Sequence, residues 1–321
     1  MTTPLQLDWG QAALQQRLAA LLPGLQVQVL AECGSTNSAL LERARAGGSL
    51  SGSTGPSASA APLAPCLLVA EHQTQGRGRQ GKVWASAAGA SLTFSLALPL
   101  APPRWDGLSL AVGLALADAL DPQSPLAGPR SASAPRQGRI GLKWPNDLLL
   151  LTLPAPPIDS HQPPGVKVGG ILIETVQVDS QRWVVIGVGL NLAAQPPGAP
   201  SVALSWGYGG LQTLNPAFTA PSVLALLAPG LLQAVLAFEQ AGFGPSQAGF
   251  ARRDVLTGRQ VTTSLPGLPH GVADGVDPTG ALWLSHAGGR SAVTSGELSL
   301  RLAAAPQAGP HPGAPAAGLP C

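Results

Sequence analysis

Charge is scarce in this chain. Asp, Glu, Lys and Arg make up 11% of its 321 residues and nearly cancel, to a formal net charge of +2. Such a balance gives no broad attraction to nucleic acid or to an anionic membrane. Cysteine is almost as rare. Cys33, Cys66 and Cys321 lack the spacing of a metal site, and an odd, scattered set argues against a disulfide framework. The N-terminus, Met1 to Trp9, has neither the basic nor the apolar stretch of a signal peptide. The most apolar run, Val223 to Phe238, is broken by Pro229-Gly230 and Gln233 and falls short of a membrane span. The expectation is a soluble, cytoplasmic protein with no membrane partner.

Apolar residues and chain punctuation are plentiful. A hydrophobic content of 45% over 321 residues supports a sizeable core and one or two domains. The chain also carries 40 glycines and 33 prolines, enough to expect loose segments within an ordered core. Stretches at about 48–65, 121–138 and 154–166 read as flexible insertions, and 304–321 as a disordered tail.

Between these stretches the patterning is regular. Gln11 to Leu22 fits a short amphipathic helix, and Leu25 to Leu30 alternates as a half-buried strand does. Ser35 can cap a helix over Asn37 to Ala46. Strands follow at Cys66 to Ala70 and Ser91 to Leu98, and Leu108 to Leu120 is apolar enough to be a buried helix. Arg139 to Trp144 and Asp147 to Leu153 read as two strands meeting at Pro145-Asn146. Val168 to Val178 and Trp183 to Leu190 form a hairpin around Asp179-Ser180, and Ser222 to Ala241 is helical. Composition breaks at Arg252-Arg253-Asp254, after which short strands and turns predict a small all-β module.

The chemistry concentrates in Gly76-Arg77-Gly78-Arg79-Gln80-Gly81-Lys82-Val83-Trp84. Glycine lets backbone fold closely over a ligand, and arginine offers a planar, permanently charged donor fork for carboxylate and phosphate. The segment reads as a mobile loop that orders around a small anion. Its glycines also fit the dinucleotide fingerprint, but the context fails. A polar run, Glu71 to Gln75, separates it from the preceding strand, its exit lacks a helical period, and the next acid is Asp106. A solvated basic loop is the plain alternative for the segment alone.

Further motifs follow in order: Gly34-Ser35-Thr36-Asn37 upstream, then Lys143-Trp144-Pro145-Asn146-Asp147, Lys167-Val168-Gly169-Gly170-Ile171-Leu172-Ile173-Glu174 and Gly187-Val188-Gly189-Leu190-Asn191. On their own residues these have plain readings too. Ser35 and Thr36 suit helix capping as well as ligand binding. The Lys143 to Asp147 run suits an ion-paired turn as well as a phosphate site.

As an ordered set, the motifs resemble the catalytic domain of the biotin protein ligases, from about Leu30 to Trp206, with a weaker echo to Leu302. The resemblance implies an α+β fold: a class II aminoacyl-tRNA-synthetase-like catalytic domain with a mixed sheet and flanking helices over 1–252. An SH3-like C-terminal β-barrel would follow over 253–303. It implies ATP-dependent formation of biotinyl-5′-AMP and transfer of biotin to a lysine of a biotin carboxyl carrier protein. The family's Mg²⁺ would come with the nucleotide, by way of Asp147. Two anions must be brought together, charge must be stabilised at the α-phosphate, and the mixed anhydride must be kept from water.

The same resemblance assigns residues. Ser35, Thr36, Asn37, Gln73, Gly76, Arg77, Lys167, Gly169 and Gly170 would bind biotin. Arg79, Lys82, Trp84, Lys143, Asn146, Asn191 and Trp206 would bind ATP, with Asn191 at adenine or ribose and Trp206 stacked on adenine. Arg79, Lys143, Asp147 and Lys167 would carry the catalysis. Lys82 stands where the family most often has arginine, and Gln80 where many relatives have a further base. Lipoate ligases share the fold and the adenylate chemistry, and a non-catalytic biotin-binding regulator would not need Lys143, Asp147 or Lys167. Only about 30 residues precede the resemblance, short for the helix-turn-helix of a bifunctional repressor, so no direct DNA binding is expected. A homodimer is compatible with the resemblance. On this reading, alanine at Thr36 and Gln73 raises the steady-state KM for biotin more than that for ATP; the opposite pattern would remove both from the biotin site.

Overall fold

A computed structural model describes residues 7–47, 63–122, 140–160, 162–193, 206–294 and 301–302. The tail at 304–321 lies outside the described residues, as do nearly all of the insertions at 48–65 and 121–138.

The first part of the chain runs α1 (Gln11–Ala19), β1 (Gln26–Cys33), α2 (Thr36–Arg45), β2 (Cys66–Gln73), β3 (Ser91–Pro99) and α3 (Leu108–Leu120). It continues with β4 (Ile140–Lys143), β5 (Asp147–Leu151), β6 (Gly165–Val178) and β7 (Gln181–Asn191). These strands form one seven-stranded sheet in the order β1-β2-β3-β7-β6-β5-β4. β1 and β2 are parallel, joined through α2 as a parallel pair requires, and every other neighbouring pair is antiparallel. The expected hairpin is β6–β7, with Asp179 in the left-handed region at its turn.

Strand alternation divides the core between the two faces. Leu67 and Val69 of β2 and Val184, Ile186 and Val188 of β7 join the large core beneath α1, α3 and the long helix α4 (Ala220–Ala241). Cys66, Leu68, Trp183 and Val185 point the other way, to Leu40 and Leu41 of α2. α4 is continuous through Pro229, in keeping with the helical pattern read over Ser222 to Ala241. Proline removes the N–H that would bond the carbonyl four residues back. Arg17 of α1 supplies the donor instead, from Nη1 to the Ala225 carbonyl at 3.1 Å. By length and composition α4 could cross a bilayer. Here it buries Val223, Leu227, Leu231 and Val235 in the core and packs along α3.

After α5 (Gln247–Arg253) come β8 (Gln260–Thr262), β9 (His270–Val276), β10 (Leu282–His286), β11 (Gly289–Val293) and β12 (Arg301–Leu302). They form a second, antiparallel sheet in the order β11-β10-β9-β8-β12. Of the last strand expected at Ser295 to Arg301, only its end lies among the described residues.

The composition break at Arg252 to Asp254 is not a break in packing. The buried Arg253 guanidinium bonds Asp118 Oδ1 at 2.8 Å, the Ile140 carbonyl at 3.0 Å and the Asp121 carbonyl at 2.7 Å. The Val255 N–H donates to Leu142, and the Trp144 indole donates to the Gly280 carbonyl, each at 3.0 Å. The expected insertion at 154–166 is likewise tied down. β6 already begins at Gly165, and buried Arg259 donates to the carbonyls of Pro156, Pro157 and Ile158. Replacing Arg253 by methionine keeps bulk but leaves buried acceptors unpaired, so urea denaturation should show a loss of about 3 kcal/mol. A loss below about 1 kcal/mol would show that water replaces the guanidinium without difficulty.

Candidate active site

A cavity opens over the middle of the large sheet, roofed by the Gly76 to Trp84 segment. Its far wall is the turn between β4 and β5, together with Trp206 and Tyr208.

The roof is a small hairpin, where the sequence suggested a loop ordered only by its ligand. The Trp84 N–H donates to the Gly76 carbonyl at 2.8 Å and the Gly78 N–H to the Lys82 carbonyl at 2.7 Å. Gln80 and Gly81, both at positive φ, turn the tip. A side chain on Gly76 would collide with the Trp84 carbonyl, so this glycine closes the hairpin without lining the cavity.

The sheet beneath is stripped of side chains where the hairpin lands. Gly170 pairs with Gly189 across β6 and β7, and Gly169 with Leu190. A Cβ on Gly189 would overlap the Trp84 indole. The indole therefore lies on bare backbone, and its Nε1 is buried without a hydrogen-bond partner among the described residues. A Cβ on Gly187 would overlap the Asn37 amide. Gly169 packs against Leu190 and stays off the cavity wall.

The start of α2 supplies the polar floor. Ser35 caps the helix through the Ser38 N–H, so the capping role holds for Ser35 while Thr36 and Asn37 turn over the sheet. Gln73 Oε1 accepts from the Thr36 N–H at 2.7 Å and from Thr36 Oγ1 at 3.1 Å, which leaves its Nε2 as a donor. Thr36 Oγ1 meets Ser95 Oγ at 2.6 Å, and Ser95 Oγ donates to Asn37 Oδ1 at 2.6 Å. Asn37 Nδ2 donates to the Leu172 carbonyl at 3.2 Å and to Glu174 Oε2 at 2.9 Å.

The far wall carries the strongest electrostatic feature. Asp147 lies between two ammonium groups, with Lys143 Nζ at 3.4 Å from Oδ2 and Lys167 Nζ at 2.5 Å from Oδ1. A Cβ on Gly170 would stand 3.4 Å from Lys167 Nζ, so the absent side chain clears the lysine's path. Lys143 is 8% exposed and its Nζ sits 5.5 Å from the centre of the Trp206 ring, a cation–π arrangement. Burial pushes the Lys143 ammonium below the ordinary lysine value of 10.5, and Asp147 opposes that shift without cancelling it. Burial would raise the Asp147 carboxyl, but the pull of Lys167 and Lys143 prevails and holds it below the usual carboxylate range. Burial lowers Arg79 as well; its Nη1 reaches Asn146 Oδ1 at 3.5 Å. Asn146 is fixed in turn by donating Nδ2 to the Ile171 carbonyl at 2.8 Å.

Among the residues lining the cavity, Arg77, Arg79, Lys82, Lys143 and Lys167 face a single carboxylate, Asp147. The cavity is thus built for an anion or several. A resident metal does not fit. Both Asp147 oxygens are engaged by lysines, and no cluster of three or more metal-ligating side chains occurs among the described residues.

Most of the residues singled out in the sequence converge here. Ser35, Thr36, Asn37, Gln73, Arg77, Arg79, Lys82, Trp84, Lys143, Asn146, Asp147, Lys167, Gly170 and Trp206 all line the cavity. Asn191 does not. It ends β7 opposite Ser91, beyond the point where Trp84 covers the sheet, and its Nδ2 is buried without a partner among the described residues. Sequence reading missed Tyr208, the chain's only tyrosine, which lines the cavity and pairs backbone with Lys167. Its flanking glycines were the available signal. It also missed the apolar wall of Phe94, Leu149 and Val188, which nothing distinguishes from ordinary core in sequence.

The chain belongs to the biotin protein ligase family, as its likeness to known proteins shows. The profile of the Biotin/lipoate A/B protein ligase family matches residues 58–191. The biotin–[acetyl-CoA-carboxylase] ligase of Mycobacterium tuberculosis is 33% identical over 84% of this chain and 86% of its own length. The ligase of the same name from Paracoccus denitrificans is 31% identical over 75% of the chain and 95% of its length. The biotin protein ligase of Aquifex aeolicus, solved with biotin and ATP, superposes with a TM-score of 0.61 at 22% identity, over 86% of this chain and 99% of that one. That likeness establishes the shared α+β fold.

An NMR titration of labelled lysines tests the electrostatics directly. Lys143 is expected to lose its proton at lower pH than exposed lysines, and Asp147→Asn to move it lower still, because the carboxylate favours the charged form. A Lys143 that titrates with the exposed lysines would contradict the burial of its charge.

Proposed function

We propose that this protein is an ATP-dependent biotin protein ligase. In the first step a biotin carboxylate oxygen attacks the α-phosphorus of ATP, giving biotinyl-5′-AMP and releasing pyrophosphate. In the second, a lysine amine of a biotin carboxyl carrier protein attacks the acyl carbon, and AMP departs with the bonding electrons. The observation that carries this reading is the Lys143–Asp147–Lys167 group beneath a cationic roof.

Each part answers a requirement of the chemistry. Two anions repel in water, and the five cations of the cavity offset that repulsion. Lys167, on the boundary between floor and wall, bridges the carboxylate and the α-phosphate. Lys143, desolvated and set over Trp206, stabilises phosphate charge more strongly than an exposed lysine does. Asp147 keeps both ammonium groups in place and, as the one carboxylate among the described residues lining the cavity, takes the incoming lysine's proton. Thr36 and the free donor of Gln73 suit the ureido ring, with Arg77 above it. Arg79 and Lys82 take the departing phosphates. The orphaned Trp84 N–H and the Trp206 ring offer the nucleotide one donor and one stacking face. The hairpin keeps water from the mixed anhydride.

Magnesium enters as the counterion of ATP, held by phosphate and water. We read the second sheet as an SH3-like barrel following a catalytic domain that ends near residue 252, and the large sheet as related to class II aminoacyl-tRNA synthetases. The five-stranded antiparallel order supports the first reading. The work is cytoplasmic, where carrier and ATP are found.

Mass spectrometry of a carrier domain incubated with the protein, ATP, Mg²⁺ and biotin should show one added biotinyl group, and none with lipoate. Lys143→Ala or Asp147→Asn should each slow biotinyl-AMP formation on the order of a hundredfold, as loss of a key electrostatic group does. Unmodified carrier with wild-type protein, or near-normal rates in both variants, would overturn the assignment.

A further inference from the structure

Alongside the Arg79–Asn146 contact at the far wall, an ion pair fastens the roof to the sheet. Arg77 Nη2 lies 3.2 Å and 3.1 Å from the two carboxylate oxygens of Glu174 on β6. Glu174 is itself held by Asn37 Nδ2 at 2.9 Å, and Asn37 by Ser95 Oγ at 2.6 Å. Ser95 meets Thr36, and Thr36 binds Gln73. An unbroken polar chain therefore runs Gln73–Thr36–Ser95–Asn37–Glu174–Arg77 across the floor to the roof. It exists because Gly187 lacks a side chain where the Asn37 amide lies. Glu174 is outside the cavity lining while Arg77 is within it. The acid therefore acts on the site through the arginine.

We propose that Glu174 is a positioning residue: its carboxylate anchors the Arg77 guanidinium and thereby fixes the roof over the cavity. The hairpin's own hydrogen bonds set its shape, but they do not bind it to the sheet. Trp84 packs on Gly189, Arg79 reaches Asn146, and the Arg77–Glu174 pair is the attachment made by two opposite charges. The pair is partly exposed, at 45% for Arg77 and 28% for Glu174, so its strength is that of a moderately screened ion pair. Because Asn37 holds the second carboxylate oxygen, Glu174 does not swing with the roof. For the consequence in catalysis, the inference rests on the proposed function, since Arg77 is there assigned to biotin.

The structural arm of the test uses no ligand. Trypsin should cut after Arg77, Arg79 and Lys82 in Glu174→Gln on the order of five times faster than in the wild type, relative to cuts elsewhere, with an unchanged melting temperature. Glu174→Asp, which keeps the charge on a shorter arm, should fall between the two and serves the comparison if the glutamine variant does not fold. In an Arg77→Ala background, Glu174→Gln should add nothing, because the partner is already gone. Unchanged cleavage in both variants, or an undiminished effect without Arg77, overturns the proposal. In the catalytic arm, Glu174→Gln should raise the biotin KM about fivefold and leave the ATP KM within about twofold. An equal rise in both would overturn the assignment of the anchor to the biotin side. A wild-type protein that makes no adenylate would defeat the proposed function, while the anchor would still be judged by the cleavage rates.

Discussion

The site depends on one carboxylate held between two ammonium groups. Asp147 stays ionised despite its burial because Lys143 and Lys167 approach it from two strands, and each lysine is held in place by the acid. The fold produces this meeting through register. Asp147 begins β5 opposite Gly170, and a shift in pairing after Leu148 brings Leu149 opposite Lys167. Lys143 ends β4 directly across from Asp147. The turn between them is braced from outside, by the Trp144 indole on Gly280 and by Val255 on Leu142. The second sheet thus steadies the residues with the most to lose from a small displacement.

Missing side chains matter here as much as those present. Gly170 and Gly189 strip adjacent strands, Trp84 lies in the gap, and Lys167 passes over Gly170 to reach the acid. A charged hairpin can then come down close to a sheet whose neighbouring positions are packed with Leu, Ile and Val. The result is a polar, cationic chamber set into an apolar body, where low dielectric magnifies each charge.

Legibility in the sequence followed locality. Ser35 as a helix cap, Asp179 in a hairpin turn and the buried helix Leu108 to Leu120 each depend on a few neighbouring residues, and each was readable. The roof was readable as a ligand loop because cations and glycines alternate within nine positions, but its hairpin hydrogen bonds were not. The helix at Ser222 to Ala241 was readable, but not the Arg17 donor from a distant segment that makes good the bond lost at Pro229. The stretch 154–166 read as a loose insertion because Arg259, which takes up the carbonyls of Pro156 and Pro157, lies far along the chain. Asn191 shares a motif with the cavity glycines and ends beyond the wall, because the reach of the cavity is set by Trp84, not by the motif. Tyr208 and Glu174 were missed for a related reason: their partners, Lys167 in one case and Arg77 with Asn37 in the other, are neighbours only in the folded chain.

The central claim is that this cationic chamber joins a carboxylate to the α-phosphate of ATP. Exchange of labelled pyrophosphate into ATP reads that step alone, with no carrier protein present. The account predicts exchange that requires biotin and is suppressed when Asp147 is changed to asparagine. Exchange that proceeds without biotin, or none at all under saturating biotin and ATP, would contradict it.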